Sequence, residues 1–439
     1  MSQQTKIIVL DDDPTGSQTV HGCLLLTRWD VATLQAALAD SSPLFFILTN
    51  TRGMSAERAD AITREACENL RVALASCEQA INPILVSRSD STLRGHYPVE
   101  TDVIAELLGP FDAHFLTPAF FEGGRVTRDS VHYLMVNGAA VPVHETEFAR
   151  DSVFGYQHSY LPDYVAEKTQ GRIAAEQVER FTLADVRGDI GARLLGLHGN
   201  VCAVVDAEQQ ADLDSFASQI QVAAATGKRF LFRSAASLLT SLAKLGAQPI
   251  AATSMSQYVR AGRAGAIVVG SHVKKTTAQL QVLLQQTGIA GVEIDVMRID
   301  TERDVLLQEV ISLAQAAHDA DLTAVIYTSR VEVVFPDQAT RLAFGERVSA
   351  LLMDVVRQLP VTIGFLISKG GITSNDVLSD GLALRTSRVL GQILAGCSVV
   401  RCPSDHPRYP DLPVVIFPGN VGDDAALATA YQRLRGVSA

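Results

Sequence analysis

Hydrophobic and polar positions follow two rhythms along this chain. Short aliphatic and β-branched runs at Ile7–Leu10, Leu44–Leu48, Ile84–Val86 and His114–Leu116 read as buried strands. Between them Val31–Ala39, Ala56–Ala80 and Pro98–Leu108 carry helical spacing. The stretch from Phe121 to about Lys168 breaks the pattern: it is rich in Gly, His, Tyr, Phe and charged residues, and its periodicity is weak. Such long irregular segments are often functional, and otherwise serve as peripheral hairpins or oligomer contacts. The rhythm returns with a strand at Val201–Val205, a helix over Gln209–Ala225 and a strand at Arg229–Phe232. Residues 236–264 read as a helix and then a loop holding Pro249 and Gly262, with Gly265 just beyond. Strands follow at Ala266–Val269, 292–295, 323–327 and 361–367, separated by helices at 276–286, 301–317 and 338–358. Val399–Cys402, Val414–Phe417 and a terminal helix complete the chain.

This alternation predicts an α/β fold. The expected architecture is two domains, each a largely parallel sheet flanked by helices, with a substrate cleft between them. The expected limits are 1–235, a linker region at 236–264, and 265–439. The length of 439 residues suits two large domains.

Charge narrows the partners. The chain has 37 Lys and Arg against 48 Asp and Glu, a net charge of −11. That excludes a nucleic-acid backbone binder, which needs a basic footprint. A small anionic substrate is still allowed, because a few local Arg residues can overrule the net sign. No run of about 18 apolar residues predicts a membrane span, and Met1–Lys6 lacks the apolar region of a signal peptide. The six cysteines make no C-x-x-C pair, which points to a reduced, cytoplasmic setting. The oligomeric state is left open, a homo-oligomer included.

The densest polar cluster follows the first strand: Asp11-Asp12-Asp13-Pro14-Thr15-Gly16. Strand ends line the ligand crevice in open α/β sheets. A helix cap and turn would need one Asp there, not three. A carboxylate in this place can take a proton from an alcohol or hold a metal ion. The second cluster, Ser87-Arg88-Ser89-Asp90-Ser91-Thr92-Leu93-Arg94-Gly95-His96, should open on the same sheet edge. Its Arg residues suit a carboxylate or phosphate, which guanidinium binds bidentately. Thr49-Asn50-Thr51-Arg52 adds a further anion contact. His132 reads as a surface or satisfied core residue.

The second half has glycine turns after strands: Gly270-Ser271, Ser368-Lys369-Gly370-Gly371-Ile372-Thr373-Ser374, and Pro418-Gly419-Asn420-Val421-Gly422-Asp423. Glycine lets a phosphate approach backbone N–H groups, and Lys369 would add a point charge. One such turn is usually a tight connection; three in one domain suggest a nucleotide site. There is no P-loop and no Rossmann fingerprint. A two-domain small-molecule kinase fits these clusters. A haloacid-dehalogenase-type phosphatase with Asp11 as nucleophile is the rival reading, since Asp11-x-Asp13-x-Thr15 matches that motif. Its acidic pair, Asp423-Asp424, would however lie past the domain boundary. A non-enzymatic small-molecule sensor is the third reading.

Taken in order, Asp12-Asp13-Pro14-Thr15-Gly16, the Ser87–Gly95 run, Gly270-Ser271, Lys369–Ser374 and Gly419–Gly422 resemble the four-carbon acid sugar kinase family. The resemblance spans nearly the whole chain. It implies an N-terminal acid-sugar domain, a C-terminal nucleotide domain, ATP and Mg²⁺, and phosphorylation of threonate, erythronate or a 3-oxo-tetronate. It places Asp12 and Asp13 as catalytic carboxylates, and Asp11, Thr15, Gly16, Arg52, Arg88, Asp90, Ser91 and Arg94 at the acid sugar. Ser271, Lys369, Gly370, Gly371, Thr373, Ser374, Gly419, Asn420 and Gly422 fall at the nucleotide. The metal ligands are not assigned. Pro14, Pro418, the extra Asp11 and the long 121–168 segment depart from the commoner pattern, and they bear on the substrate more than on the fold.

Overall fold

Leu44–Leu48 is apolar and buried at every position, as a strand covered on both faces must be. In the computed structural model, which describes residues 4–77, 81–330 and 333–437, such runs build the sheets of two compact units, Met1–Ala247 and Gln248–Ala439.

The first unit holds β1 (Gln4–Asp11), β2 (Leu24–Leu26), β3 (Leu44–Leu48), β4 (Ile81–Arg88), β5 (Ala113–Thr117), β6 (Arg125–Arg128), β7 (Val131–Val136), β8 (Ala139–Pro142), β9 (Glu179–Phe181), β10 (Val201–Val205) and β11 (Phe230–Ser234). Its main sheet runs β2-β3-β1-β4-β11-β5-β10-β9, with every neighbouring pair parallel. The chain leaves β1 toward β3 on one side and β4 on the other, so a crevice opens at their carboxyl ends. Register then sets the site: Asp11 lies opposite Arg88 on β4, and Arg88 lies opposite Ser234 on β11.

The helix Ala56–Ala75 shows why its flank forms. Ser55 caps it by accepting from the Arg58 N–H at 3.3 Å. Ala59, Ile62, Ala66, Leu70 and Ala73 recur at helical spacing and are buried. Ala66, Leu70 and Ala73 pack with Ile8, Phe45, Ile47 and Leu85 of the sheet. Each large side chain so buried stabilises the unit by roughly 1.5–3 kcal/mol. The predicted continuation of this helix over residues 78–80 lies outside the described residues.

The 121–168 segment is more regular than its sequence suggests. β6, β7 and β8 form a separate antiparallel sheet. Their connections are two-residue turns with positive φ, Asp129-Ser130 and Asn137-Gly138, the hairpin geometry that matches strand twist. Turns and a helix, Leu161–Lys168, complete the segment.

The second unit contains β12 (Ala266–Val269), β13 (Ile289–Ile294), β14 (Thr323–Thr328), β15 (Leu366–Lys369), β16 (Thr386–Leu394), β17 (Cys397–Arg401) and β18 (Pro413–Phe417). The order is β13-β14-β12-β15-β18-β17-β16. The first five strands are parallel, and β17 and β16 are antiparallel. The strand expected at 361–367 begins only at Leu366, opposite Ala266 of β12. Gly364 has its backbone pressed against Arg263, where a Cβ would meet the Arg263 carbonyl at 2.1 Å, and the run before it is a turn in which Val361 and Thr362 are exposed and only Ile363 is buried. β16 was not anticipated at all. Among the described residues no helix is long and apolar enough to cross a membrane, and every described cysteine is a free thiol.

Candidate active site

The carboxyl edge of β1, β3 and β4 gathers Asp11, Asp12, Asp13, Arg52 and Arg88. The three acids do not behave alike. Asp11 is fully buried. Its Oδ1 accepts from Arg88 Nη1 at 3.2 Å, while Oδ2 has no hydrogen-bond partner among the described residues. Burial outweighs Arg88 and pushes its pKa up to about 7. Gly16 sits against it so closely that a Cβ there would lie 1.9 Å from Oδ2. Asp12 is also buried, and both its oxygens are engaged. Arg52 grips it with Nη2 at 2.5 Å and Nε at 3.2 Å, and the Ser89 hydroxyl donates at 2.6 Å. Asp13 is the reachable acid, with 21% of its side chain exposed. Its Oδ1 closes a turn onto the Thr15 N–H at 2.8 Å and hydroxyl at 2.5 Å. Its Oδ2 stands 3.4 Å from Arg52 Nη1. Burial raises its pKa, but Arg52 and Arg88 overcome this and hold it below the usual carboxylate range.

These environments settle two expectations. Asp11 cannot serve as a phosphatase nucleophile, because Gly16 and Arg88 occupy the space an attacked phosphate would need. Asp423 and Asp424 belong to the other unit. Arg88 is equally deep, 4% exposed, and balances Asp11 and Asp12 at 3.2 and 3.9 Å. Here it braces the acids through Nη1, while its buried Nε has no hydrogen-bond partner among the described residues.

Asp11 also yields a pH dependence. Its folded pKa, about 7, exceeds the ordinary 3.8, so the folded chain holds an extra proton between those values. The stability this confers is complete below about pH 4 and is lost as pH rises through about 7. The denaturation midpoint of Asp11→Asn, followed across this window, should fall less with pH than that of the parent. Parallel curves would show that Asp11 ionises normally.

The 89–94 loop completes the site. Arg94 donates from Nε to Asp90 at 2.7 Å, reaches Asp151 at 3.6 Å, and remains 29% exposed. Asp90 also accepts from the Thr92 hydroxyl, and Arg52 and Arg94 help to hold it ionised against its burial. Ser91 contributes its backbone carbonyl, which accepts from His132. A small recess opens here, lined in part by Asp90, Arg94, Tyr97, Tyr164 and Arg233.

Two residues that sequence reasoning passed over organise this edge. Arg233 of β11 donates to Glu100 at 2.5 Å, Ser87 at 2.6 Å and Ser89 at 2.8 Å. Glu100 also accepts from Thr51 at 2.5 Å. The available signal was an arginine inside the otherwise apolar run Phe230-Leu231-Phe232-Arg233.

In the second unit the turns after β12, β15 and β18 come together. Gly370, with φ at +118°, donates to the Phe417 carbonyl at 2.8 Å. A Cβ on Gly370 would lie 3.1 Å from the Ser271 Cβ, so the turns meet with little to spare. The Ser271 and Thr276 hydroxyls are 3.1 Å apart, and Thr276 also reaches the Gly419 carbonyl at 3.3 Å. Ser374 bonds back to Ser368 at 3.0 Å. Thr373 is buried against Gly270, where a Cβ would meet its hydroxyl at 2.3 Å. Gly371 opens the short helix Gly371–Asp376, Asn420 is exposed, and Gly422 holds φ at +79°.

Lys369 is held inside the turns. Its Nζ is spent on the carbonyls of Pro418 at 2.6 Å and Gly419 at 3.0 Å, and the side chain is fully buried. Burial lowers its pKa to about 8. It ties β15 to the last turn through two of its three N–H donors. A further cation at these turns is Arg330, which sequence reasoning missed. It donates from Nη1 to the Ser271 carbonyl at 2.6 Å, and among the described residues its buried Nε and Nη2 have no hydrogen-bond partner. Small turns, hydroxyls and such a guanidinium fit a nucleotide phosphate. Among the described residues no three His, Cys, Asp or Glu side chains gather to hold a metal. A Mg²⁺ ion carried mainly by phosphates and water needs only one or two protein carboxylates.

Residues 7–242 match the sugar-binding N-terminal domain model, and residues 266–427 match the nucleotide-binding C-terminal domain model. The chain belongs to the four-carbon acid sugar kinase family. Relatives in this family include a D-erythronate kinase of Heliobacterium modesticaldum, 28% identical over 48% of this chain and 47% of that one. A D-threonate kinase of Bordetella bronchiseptica is 29% identical over 49% of each chain. The chain thus matches about half the length of these curated relatives. Two solved structures share the fold. A Salmonella typhimurium LT2 protein described as a tRNA synthase superposes with a TM-score of 0.70 at 19% identity, covering 97% of this chain and 98% of that one. A Haemophilus influenzae protein gives 0.65 at 17% identity, covering 97% and 100%.

Proposed function

We propose that this protein is an ATP-dependent kinase that phosphorylates a hydroxyl of a four-carbon acid sugar of the threonate, erythronate or 3-oxo-tetronate type. The observation that carries the reading is the pairing of one partly exposed, ionised carboxylate, Asp13, with the partly exposed guanidinium of Arg94 at a single sheet edge. Together they suit a substrate with an alcohol at one end and a carboxylate at the other. Asp13 orients the hydroxyl and takes its proton as the oxygen becomes bonded to phosphorus. Its low pKa makes it a weak base, so the proton moves late. Arg94 receives the carboxylate of the acid. Asp12 and Ser89 hold Arg52 in place beside Asp13. In the second unit Ser271, Gly370, Gly371, Thr373, Gly419 and Arg330 would hold the nucleotide, and Lys369 would keep the turns rigid. When bound, ATP supplies the phosphoryl group and Mg²⁺ offsets its charge. The family and the names of the two relatives support this reading, as does the division into sugar-binding and nucleotide-binding domains.

The test is a panel of four-carbon acids, offered singly with ATP and Mg²⁺ and followed by ADP formation and by mass of the product. One or more acids should give ADP and a product heavier by one phosphoryl group. Phosphate release from sugar phosphates without ADP would favour a phosphatase. Acid binding without turnover would favour a sensor.

A further inference from the structure

The 121–168 segment grips the acceptor loop by its backbone. Three successive carbonyls of that loop each accept from a different side chain of the segment. His132 Nε2 donates to Ser91 at 2.8 Å, the Tyr156 hydroxyl to Thr92 at 2.7 Å, and the Tyr164 hydroxyl to Leu93 at 2.8 Å. All three donors are buried, between 0 and 5% exposed. A carbonyl can only accept, so His132 carries its proton on Nε2 and takes the Thr127 hydroxyl on Nδ1 at 2.9 Å. Burial lowers its pKa to about 4, which keeps it in this neutral form. Leu93 lies at φ +67°, a conformation that a bulky residue holds only where its surroundings fix it. Those surroundings are Tyr97, Tyr156 and Tyr164, which share one apolar cluster with it. The segment also grips the loop through a side chain. The Arg94 guanidinium lies 5.0 Å from the centre of the Phe148 ring and 3.6 Å from Asp151.

We propose that the 121–168 segment is the specificity element of the acceptor site: it fixes the backbone of residues 91–93 and the side chain of Arg94, and so sets where the carboxylate of a small polyhydroxy acid is held. This rests on the reading of the first unit as the acceptor site. His132, Tyr156, Tyr164 and Phe148 act as positioning residues, since they hold the loop and not the reacting atoms. A mere fold-stabilising role would lower the melting temperature without favouring one substrate's KM over the other's.

The experiment uses the full chain with Tyr156→Phe, Tyr164→Phe, their double variant and Phe148→Leu. Each Tyr→Phe change removes one hydroxyl and keeps the packed ring. Two readings are taken: deuterium uptake by the 89–97 stretch without ligands, and KM for the acid and for ATP. The double variant should take up deuterium faster at 89–97 and raise the KM for the acid about tenfold, while the KM for ATP stays within about twofold. Phe148→Leu, which leaves the backbone bonds intact, should raise the KM for the acid without changing uptake. Unchanged uptake in the double variant overturns the proposal, as does an equal rise in both KM values. A double variant that fails to fold leaves the same two criteria to be read on the single variants. A parent protein that turns over no acid defeats the acceptor reading and this proposal with it, and that failure shows in the parent rather than in the variants.

Discussion

Asp13→Asn should lower kcat on the preferred acid by roughly 10³-fold, within the range general-base removal usually costs, and leave nucleotide affinity intact. The substitution is a clean one because of how Asp13 is held. Its Oδ1 accepts the Thr15 N–H at 2.8 Å, and an Asn carbonyl can accept the same bond, so the turn survives. Its ion pair with Arg52 is loose at 3.4 Å, while Arg52 is anchored on Asp12 at 2.5 and 3.2 Å. The change therefore removes charge and basicity and little else. Asp12→Asn is the informative contrast. Asp12 is 1% exposed and fully engaged, so its variant should lose stability and acceptor binding as Arg52 and Ser89 lose their anchor. Steady-state kinetics and nucleotide titration of both variants separate the roles. An Asp13→Asn enzyme within tenfold of the parent kcat would remove Asp13 from the chemistry.

Much of this arrangement was legible in the sequence, and the rest was hidden for physical reasons. The main strands were visible because both faces of each sheet are covered, which makes each run continuously apolar. The polar clusters at the strand ends were visible because topology, not local preference, explains three acids after β1. Long-range pairing was not visible. Glu100 and Arg233 are 133 positions apart, and nothing local to either tells it of the other. The β6–β8 sheet escaped because its strands are only partly buried, so period-2 alternation is weak. The pair Asn137-Gly138 was a hairpin signal that went unread. β16 escaped because register shifts near Val389/Gly391 and Gln392/Leu394 break its alternation. The contacts of Lys369 were not visible either, because its Nζ meets the carbonyls of Pro418 and Gly419, 49 and 50 positions away.

The pair that sequence could not show should carry the largest stability effect in the first unit. Glu100→Ala is expected to destabilise it by about 3–5 kcal/mol, the usual cost of breaking a buried ion pair by removing one partner. The loss exceeds that of the missing contact. Arg233 is 9% exposed, and without Glu100 its charge stays buried with the Ser87 and Ser89 hydroxyls and the shared Asp12 carboxylate to meet it. For a unit of this size the melting temperature should fall on the order of 10 °C. Replacing both partners by apolar residues, Glu100→Leu with Arg233→Met, removes the stranded charge and should recover most of the stability. It should not recover function. Ser89 donates to Asp12 at 2.6 Å while accepting from Arg233 at 2.8 Å, so losing Arg233 frees Ser89 and loosens Asp12 and Arg52 behind Asp13. The expected result is a double variant that melts near the parent yet binds the acid poorly, measured by calorimetric unfolding and by KM. A double variant as unstable as Glu100→Ala would show that packing, not the stranded charge, accounts for the cost. Full activity in the stable double variant would show that Arg233 supports the fold and leaves the acid carboxylates where they are.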